Sequence, residues 1–94
     1  MAHTFEELVN MQRAADSAHA RVLALLDEYG QPARGDGWTE QQSETYGKAW
    51  SDWRKAAAGV QASVTEHAAA DGKTRYDVEA AVKKAARHPE PVQP

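Results

Sequence analysis

Histidine is the residue type in this sequence that could most readily bind a metal ion or transfer a proton. The four histidines are His3, His19, His67 and His88. Histidine ligands on one helix stand at i and i+4, as in the HExxH pattern, because those positions share a helix face. No two of these histidines have that spacing, and the chain contains no cysteine that could supply a thiolate. The sequence therefore predicts no metal site.

Motifs of known catalytic or cofactor-binding chemistry are also missing from the sequence. There is no GxSxG nucleophile elbow, no Walker loop and no GxGxxG dinucleotide fingerprint. The nearest feature is Gly35-Asp36-Gly37, which is too short to surround a phosphate. We therefore expect a protein that is not an enzyme, with no catalytic residue and no bound cofactor.

A group of acidic residues is the next candidate, because carboxylates can bind cations. Five of them gather near one predicted turn: Asp27, Glu28, Asp36, Glu40 and Glu44. A carboxylate at the end of a helix opposes the helix dipole and costs ~0.3–1 kcal/mol, so Asp27 and Glu28 are locally unfavourable. Two interpretations stay open, a cation or partner site and a solvated surface. The lack of an EF-hand pattern favours the solvated surface.

Basic residues concentrate in the last part of the chain. Up to Asp71 there are six basic and eleven acidic residues, whereas from Gly72 onward there are five basic and three acidic ones. The five cations are Lys73, Arg75, Lys83, Lys84 and Arg87. They could contact nucleic-acid phosphates, but cations near the end of a helix also stabilise its dipole. Nucleic-acid binding is therefore the alternative function and not the leading one.

Aromatic side chains could line a ligand pocket or stack on bases. Trp50 and Trp53 follow Tyr46 at spacings of four and three, which is the periodicity of a buried helix face. We therefore expect these three side chains in the core. Trp38 stands outside that pattern, in a Gly-rich segment before Thr39. It either covers the end of the helices or stays exposed as an anchor for a protein partner.

Three predicted helices position these residues. Thr4 and Glu7 have the spacing of a capping box. Gly30, expected in the left-handed conformation, and Pro32 end this first helix, which is predicted over about 5–29. Its apolar residues recur every three or four positions: Leu8, Met11, Ala15, Ala18, Val22, Leu25 and Tyr29.

The second helix begins in the same way. Thr39 and Gln42 repeat the capping pattern, and the helix is predicted over about 40–70. Its apolar positions again recur at spacings of three and four: Tyr46, Trp50, Trp53, Ala57, Val60, Val64 and His67. Two long helices with apolar rows of equal period are typical of a helical hairpin.

A short third helix follows. Thr74 is its cap, and the helix is predicted over about 75–87. Pro89 ends it, because proline cannot continue a helix. We expect a single helical domain over 1–88 and a disordered C-terminal tail over 89–94.

The two long apolar rows also predict how the first two helices pair. In an antiparallel hairpin, the sequence positions of any two facing residues add up to nearly the same value. This pairs Leu8 with Val64, Met11 with Val60, Ala18 with Trp53 and Val22 with Trp50. The predicted fold is therefore all-α: a long antiparallel hairpin with a short third helix, either as a three-helix bundle or within a dimeric four-helix core.

The composition limits both the core and the expected location. Of the 94 residues 41% are hydrophobic, but nineteen are alanine and none is isoleucine. A domain of this size typically retains only ~3–5 kcal/mol of stability, so self-association would add to it. The net charge of −3 does not favour general polyanion binding. No signal peptide or membrane span is predicted, so we expect a cytoplasmic protein without a membrane partner.

Apolar residues beside the paired rows indicate a partner surface. Phe5 and Val9 lie near the start of the first helix, and Leu23 and Leu26 lie near its end. The third helix is too short to cover the whole hairpin, and an uncovered apolar stripe often marks an interface. Phe5, Val9, Leu26 and Trp38 form the predicted partner-binding set. The leading expectation is a non-enzymatic protein–protein interaction or oligomerisation module, assembled as a homodimer.

In outline, a small acidic helical hairpin resembles the secreted actinobacterial WXG-type proteins. Those proteins carry W-x-G in the turn, whereas Trp38 is followed here by Thr39 and Glu40. Their tail signal, a tyrosine followed four residues later by an acid, does not occur at Tyr76, because Ala80 stands at that position. The sequence is therefore not assigned to that family.

Overall fold

A computed structural model of the protein describes residues 3–30 and 37–87 and, within them, three helices and no strand. The helices are α1 (Phe5–Tyr29), α2 (Glu40–Asp71) and α3 (Arg75–Arg87). The all-α prediction is confirmed. The bounds of α1 and α3 are those predicted, and α2 ends one residue later than predicted. The predicted tail over 89–94 lies outside the described residues.

A threonine hydroxyl fixes the start of each helix. Thr4 Oγ1 accepts a hydrogen bond from the Glu7 backbone N–H at 3.1 Å, and Glu7 Oε1 accepts one from the Thr4 N–H at 2.9 Å. Thr39 and Gln42 form the same reciprocal pair at 3.1 and 2.9 Å. Thr74 Oγ1 accepts from a backbone N–H in the first turn of α3 at 3.1 Å. Each hydroxyl satisfies a donor that the first helical turn leaves without a partner.

Glycines end the two long helices in different ways. Gly72 adopts the left-handed conformation, with φ 64° and ψ 29°. Gly30 was expected to do the same, and its φ of 75° is positive, but its ψ is extended at −168°. The indole Nε1 of Trp38 donates to the Gly30 carbonyl oxygen at 3.0 Å. The Gly30 carbonyl therefore points toward Trp38 and not along the helix axis, so α1 does not continue past this residue.

The first two helices pack antiparallel. The His19 ring stacks on Trp53 with its centroid 4.4 Å away, and His67 Nδ1 lies 2.8 Å from the His3 carbonyl oxygen. Both contacts agree with the predicted pairing to within one residue, since Ala18 was the residue expected opposite Trp53.

Two apolar clusters fill the space between the helices. The larger cluster includes α3 and consists of Leu8, Ala15, Val60, Val64, Ala68, Val78 and Val82. The smaller cluster comes from α1 and α2 alone and consists of Val22, Leu25 and Ala49, with Tyr29, Tyr46 and Trp53 packed against it. Because α3 packs on the early part of α1 and the late part of α2, it covers only the half of the hairpin remote from the connection between these two helices.

The prediction that Trp50 lies in the core is wrong. Trp50 is 38% exposed, whereas the adjacent Ala49 is 4% exposed and packs with Val22 and Leu25. Ser63, two heptads after Ala49, is also buried. Small side chains at a helix contact let the helix axes approach closely. α2 therefore turns its row of small residues toward α1, and Trp50 lies at the edge of the hairpin.

Candidate interaction surface

A bidentate ion pair fixes the C-terminal end of α3 to the middle of α1. Arg87 Nε donates to Asp16 Oδ2 at 3.0 Å, and Arg87 Nη2 donates to Asp16 Oδ1 at 2.9 Å. Gln12 Nε2 donates to the same Oδ1 at 2.9 Å. The hydrogen bonds from Arg87, and then that from Gln12, stabilise the carboxylate and lower the pKa of Asp16 below its ordinary value. This pair marks the level at which α3 ends along the hairpin.

A second polar contact joins α3 to α2. Lys83 Nζ donates to Glu79 Oε1 at 2.7 Å, and Gln61 Nε2 of α2 donates to the same oxygen at 3.4 Å. The hydrogen bond from Lys83, and then that from Gln61, lowers the pKa of Glu79. This i, i+4 pair of α3 is therefore also part of its contact with the hairpin.

Three of the five cations proposed for phosphate binding contact carboxylates of the chain itself. Arg87 pairs with Asp16, Lys83 pairs with Glu79, and Lys73 Nζ lies 4.0 Å from Asp71 Oδ2. The other two, Arg75 and Lys84, are exposed. These pairs partly neutralise the positive charge, which weakens the case for a phosphate-binding surface on α3.

Beyond Arg87, no helix of the described residues covers the side of the hairpin on which α3 packs. Leu23 follows Asp16 by seven residues and so continues the line of α1 that faces α3. Trp50 precedes Val64 by fourteen residues and continues the corresponding line of α2. Leu23 is 52% exposed and Trp50 is 38% exposed. An apolar surface thus begins where α3 stops.

We call this surface the loop-end face, and it consists of His19, Leu23, Leu26, Trp50 and Trp53. The Trp50 and Trp53 rings meet edge to face, with centroids 5.2 Å apart. The Arg54 guanidinium carbon lies 5.5 Å from the centre of the Trp50 ring, a cation–π contact at the rim of the face. A cleft of about 260 Å³, lined in part by His19 and Trp53, lies between the face and the end of α3. Surfaces of this kind are suited to bind a helix.

The structure separates the predicted partner-binding residues. Leu26 is half-buried on the loop-end face, whereas Phe5 is 41% exposed at the opposite end of α1. Val9 is only 7% exposed, which does not favour its assignment to a partner surface. Val9 precedes Asp16 by seven residues and so lies on the line of α1 that faces α3.

Trp38 covers the end of the hairpin. Its ring meets Tyr29 and Tyr46 edge to face, with centroids 5.7 and 4.9 Å apart, and its indole N–H has an acceptor in Gly30. The side chain is half-buried by these contacts. These contacts favour the alternative role of Trp38 as a lid on the hairpin over that of an exposed partner anchor.

The acidic residues near the turn lie at the surface. Asp27, Glu28, Glu40 and Glu44 are exposed, and Asp36 lies outside the described residues. Within the residues that the structure describes, no group of three His, Cys, Asp or Glu side chains could hold a metal ion. This favours the solvated-surface interpretation, and it places negative charge beside the loop-end face.

Two features of the site were missed from the sequence. The first is the stacking of His19 on Trp53, which forms the edge of the loop-end face next to the end of α3. The second is the pairing of Asp16 with Arg87, a residue that was assigned to phosphate binding. One signal was present for the pair, because Asp16 interrupts a line of apolar residues on the first helix. An acid in such a place suggests a cation from another element.

Comparisons of the chain with protein-family models, with curated proteins and with solved structures find no match. None of the helices in the described residues combines the length and the apolar character needed to cross a membrane. The geometry of the chain itself is therefore the basis for a functional proposal.

Proposed function

We propose that this protein is a non-enzymatic interaction module that self-associates through the loop-end face. The observation that supports this most directly is that the described helices cover the hairpin incompletely. α3 packs over the larger cluster and ends at Arg87, while Leu23 and Trp50 stay exposed on the same side. A contiguous exposed apolar face on a small protein often marks a binding surface.

Energetics support the same proposal. Full burial of one large aliphatic or aromatic side chain contributes ~1.5–3 kcal/mol relative to exposure. Small domains retain on the order of 5 kcal/mol in total. Covering Leu23 and Trp50 would therefore stabilise this chain by a substantial fraction of its own folding free energy. Tryptophan is also among the residues that contribute most to protein interfaces.

Light scattering of two matched variants tests the proposal. Leu23→Glu places a charge in the loop-end face, and Ala24→Glu places the same charge on an adjacent exposed residue of α1 outside it. The natural chain is expected to have a mass above 10.3 kDa that rises with concentration in the micromolar range. Leu23→Glu is expected to weaken association by at least about tenfold, the effect of ~1.4 kcal/mol, and Ala24→Glu by much less.

Circular dichroism establishes that both variants are folded. A natural chain that stays at 10.3 kDa throughout that range would contradict self-association. Equal weakening by both variants would place the contact elsewhere on the chain.

A further inference from the structure

We infer that the loop-end face of each copy is covered by α3 of a second copy, in an antiparallel two-fold dimer. This rests on the proposed self-association and adds its geometry. α3 has 13 residues. From Asp16, which is level with the end of α3, α1 continues for another thirteen residues to Tyr29. At 1.5 Å per residue both stretches are about 20 Å long, so the uncovered length of the hairpin matches one α3.

Symmetry then decides the orientation of the second copy. A two-fold axis that runs across the helices near Asp16 and Arg87 inverts the second copy along the hairpin. The α3 of the second copy then lies end to end with the α3 of the first copy and covers the loop-end face of the first copy. The α3 of the first copy covers the loop-end face of the second copy in the same way. An axis parallel to the helices would place the two α3 helices against each other and leave both faces uncovered. The antiparallel arrangement is closed and covers both.

The side of α3 that would meet the partner has a suitable composition. Val78 and Val82 are buried in the larger cluster, so the opposite side of this helix faces outward. Tyr76 and Ala80 lie on that outer side, and both are exposed. Tyr76 is 79% exposed, the highest value among the exposed large hydrophobic residues that the structure describes. A tyrosine beside a small residue allows close packing on an apolar face.

Charge complements this geometry. The end of the hairpin next to the loop-end face carries four exposed acids: Asp27, Glu28, Glu40 and Glu44. The segment from Gly72 onward carries five basic and three acidic residues. In the antiparallel dimer, the exposed Arg75 at the start of α3 of one copy lies level with Asp27 of the other, because they stand twelve and eleven residues from the Asp16–Arg87 level, and the two-fold axis repeats this pairing. Opposite charges that meet across an interface favour this register over others.

Chemical cross-linking tests the arrangement, because the chain has no cysteine of its own. Leu23→Cys and Ala80→Cys are made as separate variants with tags of different mass, mixed, and treated with a short bis-maleimide. We expect a cross-linked pair containing one copy of each. Within one copy, Leu23 and Ala80 lie on either side of the Asp16–Arg87 level, seven residues beyond it in each case, or about 20 Å apart. Ala24→Cys mixed with Ala80→Cys is the matched control and should not cross-link.

Charge reversal provides an independent readout. Arg75→Glu and Asp27→Lys are each expected to raise the dissociation constant about tenfold, and the combined variant should return to within about threefold of the natural chain. Lys55→Glu, at an exposed position of α2, is the matched control and should have little effect.

The outcomes separate this inference from the proposal on which it rests. A natural chain that dimerises, without the Leu23–Ala80 cross-link and without rescue in the combined charge variant, leaves self-association standing and overturns the antiparallel geometry. A natural chain that is monomeric throughout the micromolar range overturns both. A specific cross-link together with charge rescue supports both.

Discussion

Arg87 and Asp16 are 71 residues apart in the sequence and form two hydrogen bonds that fix the end of α3 to the middle of α1. Their side chains are 51% and 31% exposed. The position of this pair along the hairpin determines how much apolar surface α3 covers and where the loop-end face begins. The contact is therefore structural and also defines the candidate site.

Arg87→Ala is expected to lower the free energy of unfolding by about 1 kcal/mol. Partly exposed ion pairs usually contribute less, but a bidentate arginine–carboxylate pair lies at the upper end of the range. Urea unfolding at fixed protein concentration measures the change. Lys48→Ala is the control, because it removes an exposed i, i+4 pair with Asp52 at 3.2 Å, for which about 0.3 kcal/mol is expected. Equal losses in the two variants would contradict a special role for Arg87.

The lowered pKa values of Asp16 and Glu79 predict that acid destabilises the fold. In the folded chain each carboxyl group binds a proton less tightly than in the unfolded chain. The stabilisation is complete above the unfolded pKa values, about 4, and is lost as the pH falls through the lower folded values. Thermal unfolding between neutral pH and about pH 2 should show this decrease in Tm. Asp16→Asn should reduce the pH dependence, and an unchanged dependence would contradict the assignment.

Much of the fold was predictable because its determinants are local. The capping pairs Thr4–Glu7 and Thr39–Gln42 are set by a spacing of three residues, and both form as expected. The antiparallel pairing followed from apolar rows of equal period. Local sequence could not decide whether Ala49 or Trp50 faces α1. Both positions fit a row with heptad spacing, and the larger side chain of the tryptophan favoured Trp50 for the core. The closeness of the two helix axes decides between them, and that depends on the whole interface.

The candidate site was predictable only in part. Leu23 and Leu26 were identified from the sequence as apolar residues beside the paired row of the first helix. Trp50 was assigned to the core, and Val9 was assigned to a partner. The Trp50 error reflects the closeness of the α1 and α2 axes, whereas the docking level of α3 decides which stretch of the apolar line of α1 is covered. That level is fixed by Arg87 and Asp16, a contact that no sequence period encodes.

The corrected core makes a direct prediction about Ala49 and Trp50. Ala49→Leu should destabilise the fold by about 1–3 kcal/mol, because it forces extra volume between Val22 and Leu25. Trp50→Ala should cost much less than the ~3–5 kcal/mol typical of a buried tryptophan. Urea unfolding of both variants at one fixed concentration compares them. A larger loss for Trp50→Ala than for Ala49→Leu would restore the original pairing of Val22 with Trp50.

The last prediction concerns nucleic acid, the alternative partner of the basic C-terminal segment. We expect no complex with duplex or single-stranded nucleic acid at micromolar protein and roughly 0.1 M salt in an electrophoretic mobility assay. The chain has a net charge of −3, and Lys73, Lys83 and Arg87 have carboxylate partners within the chain. The double variant Arg75→Ala, Lys84→Ala is the control, because it removes the other two cations of the segment, both of which are exposed. A complex that weakens steeply with salt and disappears in this variant would contradict the prediction and restore α3 as a phosphate-binding helix.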